Sequence, residues 1–385
     1  MAAVGPDRPP DSRLTVPIAH AELFSVGCDR ALVTFTSGAG ESAVTRCGDD
    51  AIETVGPRHV VRLDGLEPDT EYPLAVDGVE PDAGLPARFR TLARPAGRVL
   101  ATIATANDVH FGETECGHLG PPHEDIGPVL QSAPGDPPYP EVMNGAVIGE
   151  MQALDPDAVI VKGDLTERGS EEQFAAFLAA YGVFGDRLAF VRGNHDAMQD
   201  PTLAVEDAPY SVEVDGVTLA VLDTVIPGRV GGHLPDHQLQ WLADLAVETS
   251  GPILVFGHHD VWPIDAPVRP ADYFGLTPDS SEALVAVVAR HDNLVGYFAG
   301  HTHGNRVYRF PSARNVPFGE VACTKDYPGA WAEYRVYEGG YTQEVHRVTA
   351  PAAFDWAEAT RAMYLGLYGE LARGELAARC FTQAF

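Results

Sequence analysis

The pattern of apolar and polar residues divides the chain near residue 95. Upstream, stretches such as RALVTFTS and HVVRLDGL alternate between apolar and polar positions and are separated by turn residues. Alternation with a period of two residues predicts strands with one buried face. We therefore predict an all-β domain over residues 14–93, preceded by a polar, proline-rich and disordered segment at residues 1–13.

Apolar strands alternate with amphipathic helices over residues 98–348. The predicted strands are VLATIAT, DAVIVKGD, RLAFVRGNHD, PILVFGHHD and LVGYFAGHTHG, and the predicted helices are EEQFAAFLAAYGVF, DHQLQWLADLAVE and SSEALVAVVARH. This alternation predicts a layered α/β domain. Residues 352–385 are predicted to form a helical C-terminal extension.

Oxygen and imidazole groups directly follow five of the predicted strands. Ligands of α/β sheets gather beyond the carboxyl ends of the strands, so we expect these groups to converge. Carboxylate, amide and imidazole ligands suit zinc, manganese or iron, which predicts a pair of metal ions at this edge. The five cysteines are scattered and argue against a thiolate zinc site or a disulfide framework. The residues at the strand ends are Asp108, His110, Asp164, Asn194, His195, Asp196, His258, His259, His301 and His303.

Together these motifs resemble those of the calcineurin-like metallophosphoesterases. The resemblance covers residues 98–348 and rests on D-V-H at 108–110, G-D at 163–164, G-N-H-D at 193–196, G-H at 257–258 and G-H-T-H at 300–303. It implies a four-layer α/β/β/α sandwich with two metal ions, manganese, iron or zinc, on its rim. By the resemblance, the first metal is held by Asp108, His110, Asp164 and His303, and the second by Asp164, Asn194, His258 and His301.

The resemblance also assigns roles to two residues that do not bind metal. His195 is expected to contact the phosphate or to protonate the leaving group, and Asp196 to orient it. The stretch GHHD offers two adjacent histidines for one ligand position. We favour His258, because glycine precedes the ligand in the family pattern, and we keep His259 as a residue that lines the substrate site.

The stretch LEPDTEY resembles the corresponding pattern of fibronectin type III domains, with Tyr72 at the position of the tyrosine corner. Purple acid phosphatases also place such a domain ahead of this catalytic fold. That group has a tyrosine ligand a few residues after the G-D aspartate, whereas this chain reads GDLTERG. A purple enzyme is therefore not expected.

The motif set looks closer to that of bacterial cyclic-nucleotide and glycerophosphodiester phosphodiesterases than to that of the purple enzymes. We predict a metal-dependent phosphodiesterase that acts on a small organic phosphodiester or cyclic nucleotide, with a hydroxide bridging the two metals as nucleophile. A non-purple phosphomonoesterase, such as a nucleotidase, is the alternative, because the same metal core serves both reactions. A nuclease and an inactive binding protein are less favoured.

Two irregular segments are candidate walls of the substrate site. Residues 111–144 follow His110 and are interpreted as a lid over the metals; a solvated insertion or a subunit contact is the alternative. The stretch VWPIDAPVRPADYFG follows the histidine pair at 258–259. The candidate substrate residues in these segments are His118, His123, Arg269, Tyr273 and Phe274.

The formal net charge of −29, with 26 basic against 55 acidic residues, limits the choice of partners. An acidic surface repels nucleic acid backbones and anionic membranes, so neither is an expected partner. The start of the chain lacks an apolar leader and no apolar run reaches the length of a membrane span, which predicts a cytoplasmic protein. A homo-oligomer remains open at this stage.

Overall fold

The computed structural model describes residues 18–119, 124–204 and 208–385. The predicted disordered segment at residues 1–13 lies outside this part of the chain. The first seven strands are β1 (Ala19–Val26), β2 (Arg30–Thr36), β3 (Ser42–Cys47), β4 (Asp50–Val55), β5 (Arg58–Asp64), β6 (Glu71–Val76) and β7 (Arg88–Arg90).

These seven strands form two facing antiparallel sheets, with the orders β1-β2-β5 and β4-β3-β6-β7. Their inward residues, such as Val33, Val61 and Leu74, make one apolar core. The backbone N–H of Glu67 donates a hydrogen bond to the hydroxyl of Tyr72 over 2.8 Å. This is the tyrosine-corner contact expected at LEPDTEY, and the strand order agrees with a fibronectin-like sandwich.

The remaining strands and helices alternate as the sequence predicts. The strands are β8 (Val99–Ala106), β9 (Glu115–Cys116), β10 (Leu130–Gln131), β11 (Ala158–Lys162), β12 (Leu188–Val191), β13 (Tyr210–Val214), β14 (Val217–Val221), β15 (Ile253–Phe256), β16 (Leu294–Ala299), β17 (Arg306–Arg309), β18 (Pro317–Glu320), β19 (Ala330–Tyr337), β20 (Gly340–Arg347) and β21 (Cys380–Ala384). The helices are α1 (Tyr139–Leu154), α2 (Glu171–Tyr181), α3 (Asp236–Glu248), α4 (Pro278–Arg290), α5 (Pro351–Thr360), α6 (Leu367–Arg373) and α7 (Leu376–Arg379). Among the described residues, no helix is long and apolar enough to cross a membrane.

Two six-stranded sheets build the layered domain. Their orders are β12-β11-β8-β19-β20-β21 and β13-β14-β15-β16-β18-β17. Alternate residues of one strand point to opposite faces. Thus Ile160 of β11 joins the core between the sheets, while Val159 and Val161 pack under α1, α2 and α5. On the second sheet, Val255 packs under α3 and α4. The result is the expected α/β/β/α sandwich.

The structure differs from the sequence prediction in two segments. Helix α1 begins at Tyr139, inside the predicted irregular segment 111–144, and buries Met143 and Val147 against the first sheet. In the C-terminal extension, residues 351–379 carry the helices α5–α7, but Cys380–Ala384 form an edge strand beside β20. Residues 380–384 form a strand because they pair with the main-chain groups at the edge of β20. The helical prediction rested on local residue preferences, which do not reveal such an edge.

The C-terminal extension joins the two domains. The guanidinium of Arg379 donates hydrogen bonds to the carbonyls of Leu23 and Phe24 on β1. The backbone N–H of Val26 donates to the sulfur of Cys380 over 3.3 Å. Cys380 thereby belongs to the core of the N-terminal sandwich. All five cysteines are buried and none is in a disulfide.

A buried carboxylate on β1 anchors the same interface. Glu22 accepts from Arg347 over 2.6 Å and from Arg361 over 3.1 Å, and the hydroxyl of Tyr327 donates to it over 2.9 Å. Burial alone raises the pKa of Glu22, but the charges of Arg361 and Arg347 outweigh it and lower that pKa to about 2. The contact therefore ties the N-terminal sandwich to β20 and to the start of the C-terminal extension.

Replacing this carboxylate, in Glu22→Gln, is expected to lower the free energy of unfolding at neutral pH by about 3 kcal/mol, because two buried guanidinium groups lose one of their two counter-charges and keep only Glu358. The pKa of Glu22 falls from 4.5 to about 2 on folding, so its contribution is complete above pH 4.5 and is lost as the pH falls toward 2. Denaturant titrations across this range should show the difference between the variant and the wild type shrinking with acidification.

Asp355→Asn serves as the matched control, since it removes an exposed ion pair with Arg58 across the same two domains. An exposed pair contributes under about 1 kcal/mol. Equal losses in the two variants would contradict the assigned role of Glu22.

Candidate metal centre

The carboxyl ends of strands from both sheets meet at one rim, and main-chain hydrogen bonds hold them together. The N–H groups of Val109 and His110 both donate to the carbonyl of Asp164 over 3.0 Å. The N–H of Gly300 donates to the carbonyl of His258 over 2.9 Å. These bonds join the segment after β8 to that after β11, and the segment after β15 to that after β16. The N–H of His301 donates to the carboxylate of Asp108 over 3.0 Å and so links the two pairs, as the strand-end argument expects.

Five of the predicted ligands have left-handed backbone conformations, which few residues other than glycine adopt. They are Asp108 (φ 51°), His110 (φ 46°), Asp164 (φ 48°), His301 (φ 87°) and His303 (φ 58°). Such strain persists only where the surrounding structure enforces it, and it concentrates at functional sites. Here it turns the chain sharply at each strand end.

Glycines in two of the motifs make room for the ligands. A Cβ atom on Gly163 would lie 2.4 Å from Nδ1 of His258, and one on Gly193 would lie 2.2 Å from Oδ1 of Asp164. Both distances are far below contact. The glycine that precedes a ligand in these motifs is therefore required by the close approach of a different ligand.

The predicted ligand atoms converge around Asp164. Its Oδ2 lies 3.5 Å from Nε2 of His110 and 3.3 Å from Nε2 of His258. Oδ1 of Asn194 lies 3.1 Å from the same nitrogen of His258. At the other side, Nε2 of His303 is 3.6 Å from Oδ1 of Asp108.

His303 groups with Asp108 and His110, whereas His301 groups with His258, its ring centroid 5.0 Å from that of His258. The two histidines of FAGHTHG therefore face different neighbours.

The ring orientations test whether this donor set fits a cation. Nδ1–H of His258 donates to the carbonyl of Lys162 over 2.9 Å, so Nε2 faces Asn194 and Asp164. Burial lowers the pKa of His258, but the charge of Asp164 outweighs it and raises that pKa to about 9, so Nε2 holds a proton in the place where a metal ion would bind. Nε2–H of His301 donates to the carbonyl of Phe274, which leaves its buried Nδ1 without a hydrogen-bond partner.

Both buried ring nitrogens of His110 also lack a hydrogen-bond partner. Electron-rich atoms that face one another in a buried place repel unless a cation lies between them, so the residues fit metal ions.

Burial and charge set the protonation of the ligands. Burial alone raises the pKa of the Asp164 carboxyl, but the imidazoles of His258 and His195 outweigh it and hold that pKa well below its usual range. Burial, together with the charge of His195, holds the pKa of His110 well below its usual range. Asp164 is thus an anion and His110 a neutral ring, which are the forms that bind metal.

His195 lies beside the ligands, but the structure assigns its orientation to a different group from the one predicted. Its Nδ1–H donates to the carbonyl of Glu167 over 2.7 Å, and its ring meets that of His110 edge-on at 4.6 Å. Asp196 does not orient this ring. Its carboxylate instead accepts from the backbone N–H groups of Leu165, Thr166 and Gly193 and cross-links two loops.

Three of the predicted substrate residues have other partners. His259 is buried, with its ring nitrogens bonded to the hydroxyl of Thr224 and the carbonyl of Val230. It therefore supports a loop and does not line the substrate site. His118 is half exposed and bonds to the carboxylates of Glu115 and Asp125. Arg269 pairs with Asp279 and Glu282 on α4. His123 lies outside the described residues.

Phe274 and Tyr273 do lie beside the centre. The ring of Phe274 is 57% exposed and stacks on His301 with a centroid distance of 4.6 Å. Tyr273 and Phe274 line a cavity of ≈ 610 Å³ with Arg229 and Gly231. The hydroxyl of Tyr273 donates to Asp260 over 3.1 Å. An exposed aromatic ring against a candidate ligand offers a surface that a substrate can contact.

Sequence reasoning missed the groups that support the ligands. The carbonyls of Lys162, Glu167 and Phe274 orient three imidazoles, and main-chain groups leave no signature in a sequence motif. Asn107 donates to Asp108 over 2.5 Å, and its place in the motif NDVH is a signal that could have indicated it. The hydroxyl of Tyr368 lies 3.5 Å from Nδ1 of His303, although 65 residues separate the two in sequence.

Comparison with known proteins agrees with this geometry. Residues 101–305 match the sequence model of the calcineurin-like phosphoesterases. A probable cyclic nucleotide phosphodiesterase of Synechococcus sp. is 31% identical over 162 residues, covering 41% of this chain and 62% of the relative. The glycerophosphodiester phosphodiesterase GpdQ of Enterobacter lignolyticus is 26% identical over 189 residues, covering 44% of this chain and 65% of the relative.

The chain thus spans less than two thirds of the length of these relatives. Among solved structures, a dimetal phosphatase from Danio rerio shares the fold, with a TM-score of 0.52 at 15% identity, over 66% of this chain and 98% of that one. The family match covers more than half of the chain and contains every strand-end motif described above. The protein belongs to the calcineurin-like phosphoesterase family.

Proposed function

We propose that this chain is a dimetal phosphodiesterase that hydrolyses a small organic phosphodiester or a cyclic nucleotide. The observation that carries the proposal is the convergence of Asp164 and Asn194 on His258, with their oxygens 3.3 Å and 3.1 Å from its Nε2 in a buried place. The names of the two bacterial relatives, both phosphodiesterases, point to the same reaction class.

The residues divide between two metal positions. Asp108, His110 and His303 serve the first, Asn194, His258 and His301 serve the second, and Asp164 is shared. The grouping of His303 with Asp108 and of His301 with His258 supports this division. Bound metals would supply an activated water and neutralise the phosphate charge.

His195 is the proposed general acid. Its Nδ1–H is fixed on the carbonyl of Glu167, so Nε2 is left to carry a proton to the leaving oxygen. The ring is half-buried, which keeps it in reach of a bound ester. Asp196 acts through the loops that it cross-links, and not by contact with this ring.

The cation near the centre, Lys325, is already paired with carboxylates, and this favours a diester substrate over a monoester. A monoester has an additional charged oxygen, which a spare cationic group would bind. Lys325 acts electrostatically on His110, but its ammonium is buried and paired with Glu113 at 2.6 Å and with Asp326 at 3.4 Å. Its charge is therefore already balanced.

The direct test is hydrolysis of bis(4-nitrophenyl) phosphate against 4-nitrophenyl phosphate, with manganese, zinc and iron supplied in turn. We expect the diester to have the higher kcat/KM, because Lys325, the cation that acts on the ligand His110, is already paired with Glu113 and Asp326. A higher kcat/KM for the monoester would favour the phosphomonoesterase alternative. Loss of both activities with every metal would reject the enzyme class.

Asp164→Asn is expected to lose both metals, since this carboxylate is shared between the two positions and its charge is removed. Elemental analysis of the purified variant should show metal content falling from about two equivalents toward none. Asp244→Asn, at an exposed position of α3, is the matched control and should keep its metals. Retention of both metals in Asp164→Asn would refute the shared role.

His195→Ala is expected to lower kcat by roughly 10²–10⁴-fold while the metal content stays unchanged, as for loss of a general acid. The exposed His237→Ala on α3 provides the control. Full activity of His195→Ala would remove this residue from the mechanism. Loss of metal together with activity would instead make it a ligand.

A further inference from the structure

A second cavity lies beside the candidate metal centre and reaches one of its predicted ligands. It has a volume of ≈ 620 Å³, and His303 is one of its walls. Its opposite wall comes from the C-terminal extension, which lies beyond the residues matched by the family. We call residues 364–378 the C-terminal wall. The residues lining the cavity from this wall are Tyr364, Tyr368, Glu370, Leu371, Ala372, Gly374, Glu375 and Ala378.

The side chains of the cavity are largely aromatic and aliphatic. Tyr364, Tyr368 and Leu371 face it from the C-terminal wall, and Val307 and Tyr308 face it from β17. Leu371 is 67% exposed, although it is a large apolar residue. An apolar concave surface with a few polar groups is the usual form of a site for a small organic ligand.

The charged side chains that line the cavity do not favour a negatively charged group in it. Arg306 lies 3.4 Å from the buried carboxylate of Glu320 and also donates to the hydroxyl of Thr302. Its charge is therefore balanced. Glu370 and Glu375 add negative charge to the lining. An uncharged group is the suitable occupant.

The C-terminal wall is held at a fixed distance from the metal ligands. The side-chain amide of Asn305 donates to the carbonyl of Ala372 over 2.8 Å, and its backbone N–H donates to the same carbonyl over 3.2 Å. The hydroxyl of Tyr368 donates to Asp326 and lies 3.5 Å from Nδ1 of His303. A group bound against the wall would therefore stand in a defined position relative to His303.

Strained backbone lies at the start of this wall. Tyr364 (φ 52°) and Leu365 (φ 59°) are both left-handed, and for bulky side chains this conformation is costly. A Cβ atom on Gly127 would lie 2.7 Å from the backbone nitrogen of Leu365, so the chain at Gly127 packs directly on the strained turn. The hydroxyl of Tyr364 also reaches the carbonyl of His118. Contacts with Gly127 and His118, which are distant in sequence, thus hold the turn in which Tyr364 lines the cavity.

We infer that the C-terminal wall forms a substituent pocket for a flat, uncharged aromatic or heterocyclic group of the phosphate ester, with Leu371 and Tyr364 as specificity-determining residues. The inference rests on the proposed function, since it places the phosphorus at the metal centre beside His303. The partly exposed rings of Tyr364 and Tyr308 can stack with such a group, which a small alkyl or glycerol substituent cannot do.

Binding of phosphonates to the metal-loaded, full-length protein tests the pocket without requiring turnover. Phenylphosphonate and methylphosphonate share the anionic head and differ only in the substituent. In Leu371→Asp, calorimetry should show the Kd of phenylphosphonate raised about tenfold or more, because a charge enters an apolar wall. The Kd of methylphosphonate should change less than about twofold, because the metals and the phosphonate are untouched.

Leu367→Asp is the matched control. Leu367 lies on the same helix and is 58% exposed, but it does not line the cavity. Leu367→Asp should bind both phosphonates as the wild type does. The conservative variant Leu371→Met keeps an apolar wall and should therefore keep the wild-type preference for phenylphosphonate. Both leucines are exposed, so the substitutions are compatible with folding.

The outcomes separate the pocket from the proposed function. An unchanged affinity of Leu371→Asp for phenylphosphonate would overturn the pocket, and so would equal weakening for both phosphonates. If the wild type hydrolyses diesters in either of these cases, the proposed function stands alone. If it hydrolyses no diester while the phenyl preference depends on Leu371, the pocket stands and the proposed reaction fails.

Discussion

The arrangement of the rim depends on one residue, Asp164, which acts through both its main chain and its carboxylate. Its carbonyl accepts from Val109 and His110, which joins the ends of β8 and β11. Its Oδ1 accepts the N–H of His195, which adds the end of β12, and its Oδ2 faces Nε2 of His258 after β15. Four strand ends therefore meet at one residue, whose carboxylate is buried. A charge in that position is tolerated because imidazoles surround it, and it attracts cations for the same reason.

Main-chain carbonyls do much of the orienting at this site. Each of three imidazoles donates one N–H to a carbonyl, at Lys162, Glu167 or Phe274, and so presents its other nitrogen to the cleft. This selects the tautomer without a second carboxylate beside each ring. This arrangement requires energetically unfavourable left-handed backbone conformations at the strand ends. The tight contacts at Gly163 and Gly193 leave no space for a Cβ atom between the ligands.

The C-terminal extension contacts both the N-terminal sandwich and the surroundings of the metal centre. Glu22 on β1 binds Arg361, which is followed directly by the strained turn at Tyr364 and by the helix that carries Tyr368. Arg379, near the end of the extension, binds back to β1. The sandwich is therefore attached to the segment that faces His303, and the buried charges of Glu22 and Arg347 are part of that attachment.

The sequence by itself determined the layered α/β class and predicted which strand-end residues converge at the rim, because apolar periodicity and strand-end motifs are local signals. It did not identify α1, whose start was included in an irregular segment, or β21, whose pairing depends on a free sheet edge. It also misassigned Asp196, because an aspartate next to a histidine in sequence need not contact it in space. The positions of Tyr368 and Leu371 beside His303 were decided by tertiary structure alone. A segment more than 60 residues downstream reaches the site only by packing across the rim, and no local pattern encodes that contact.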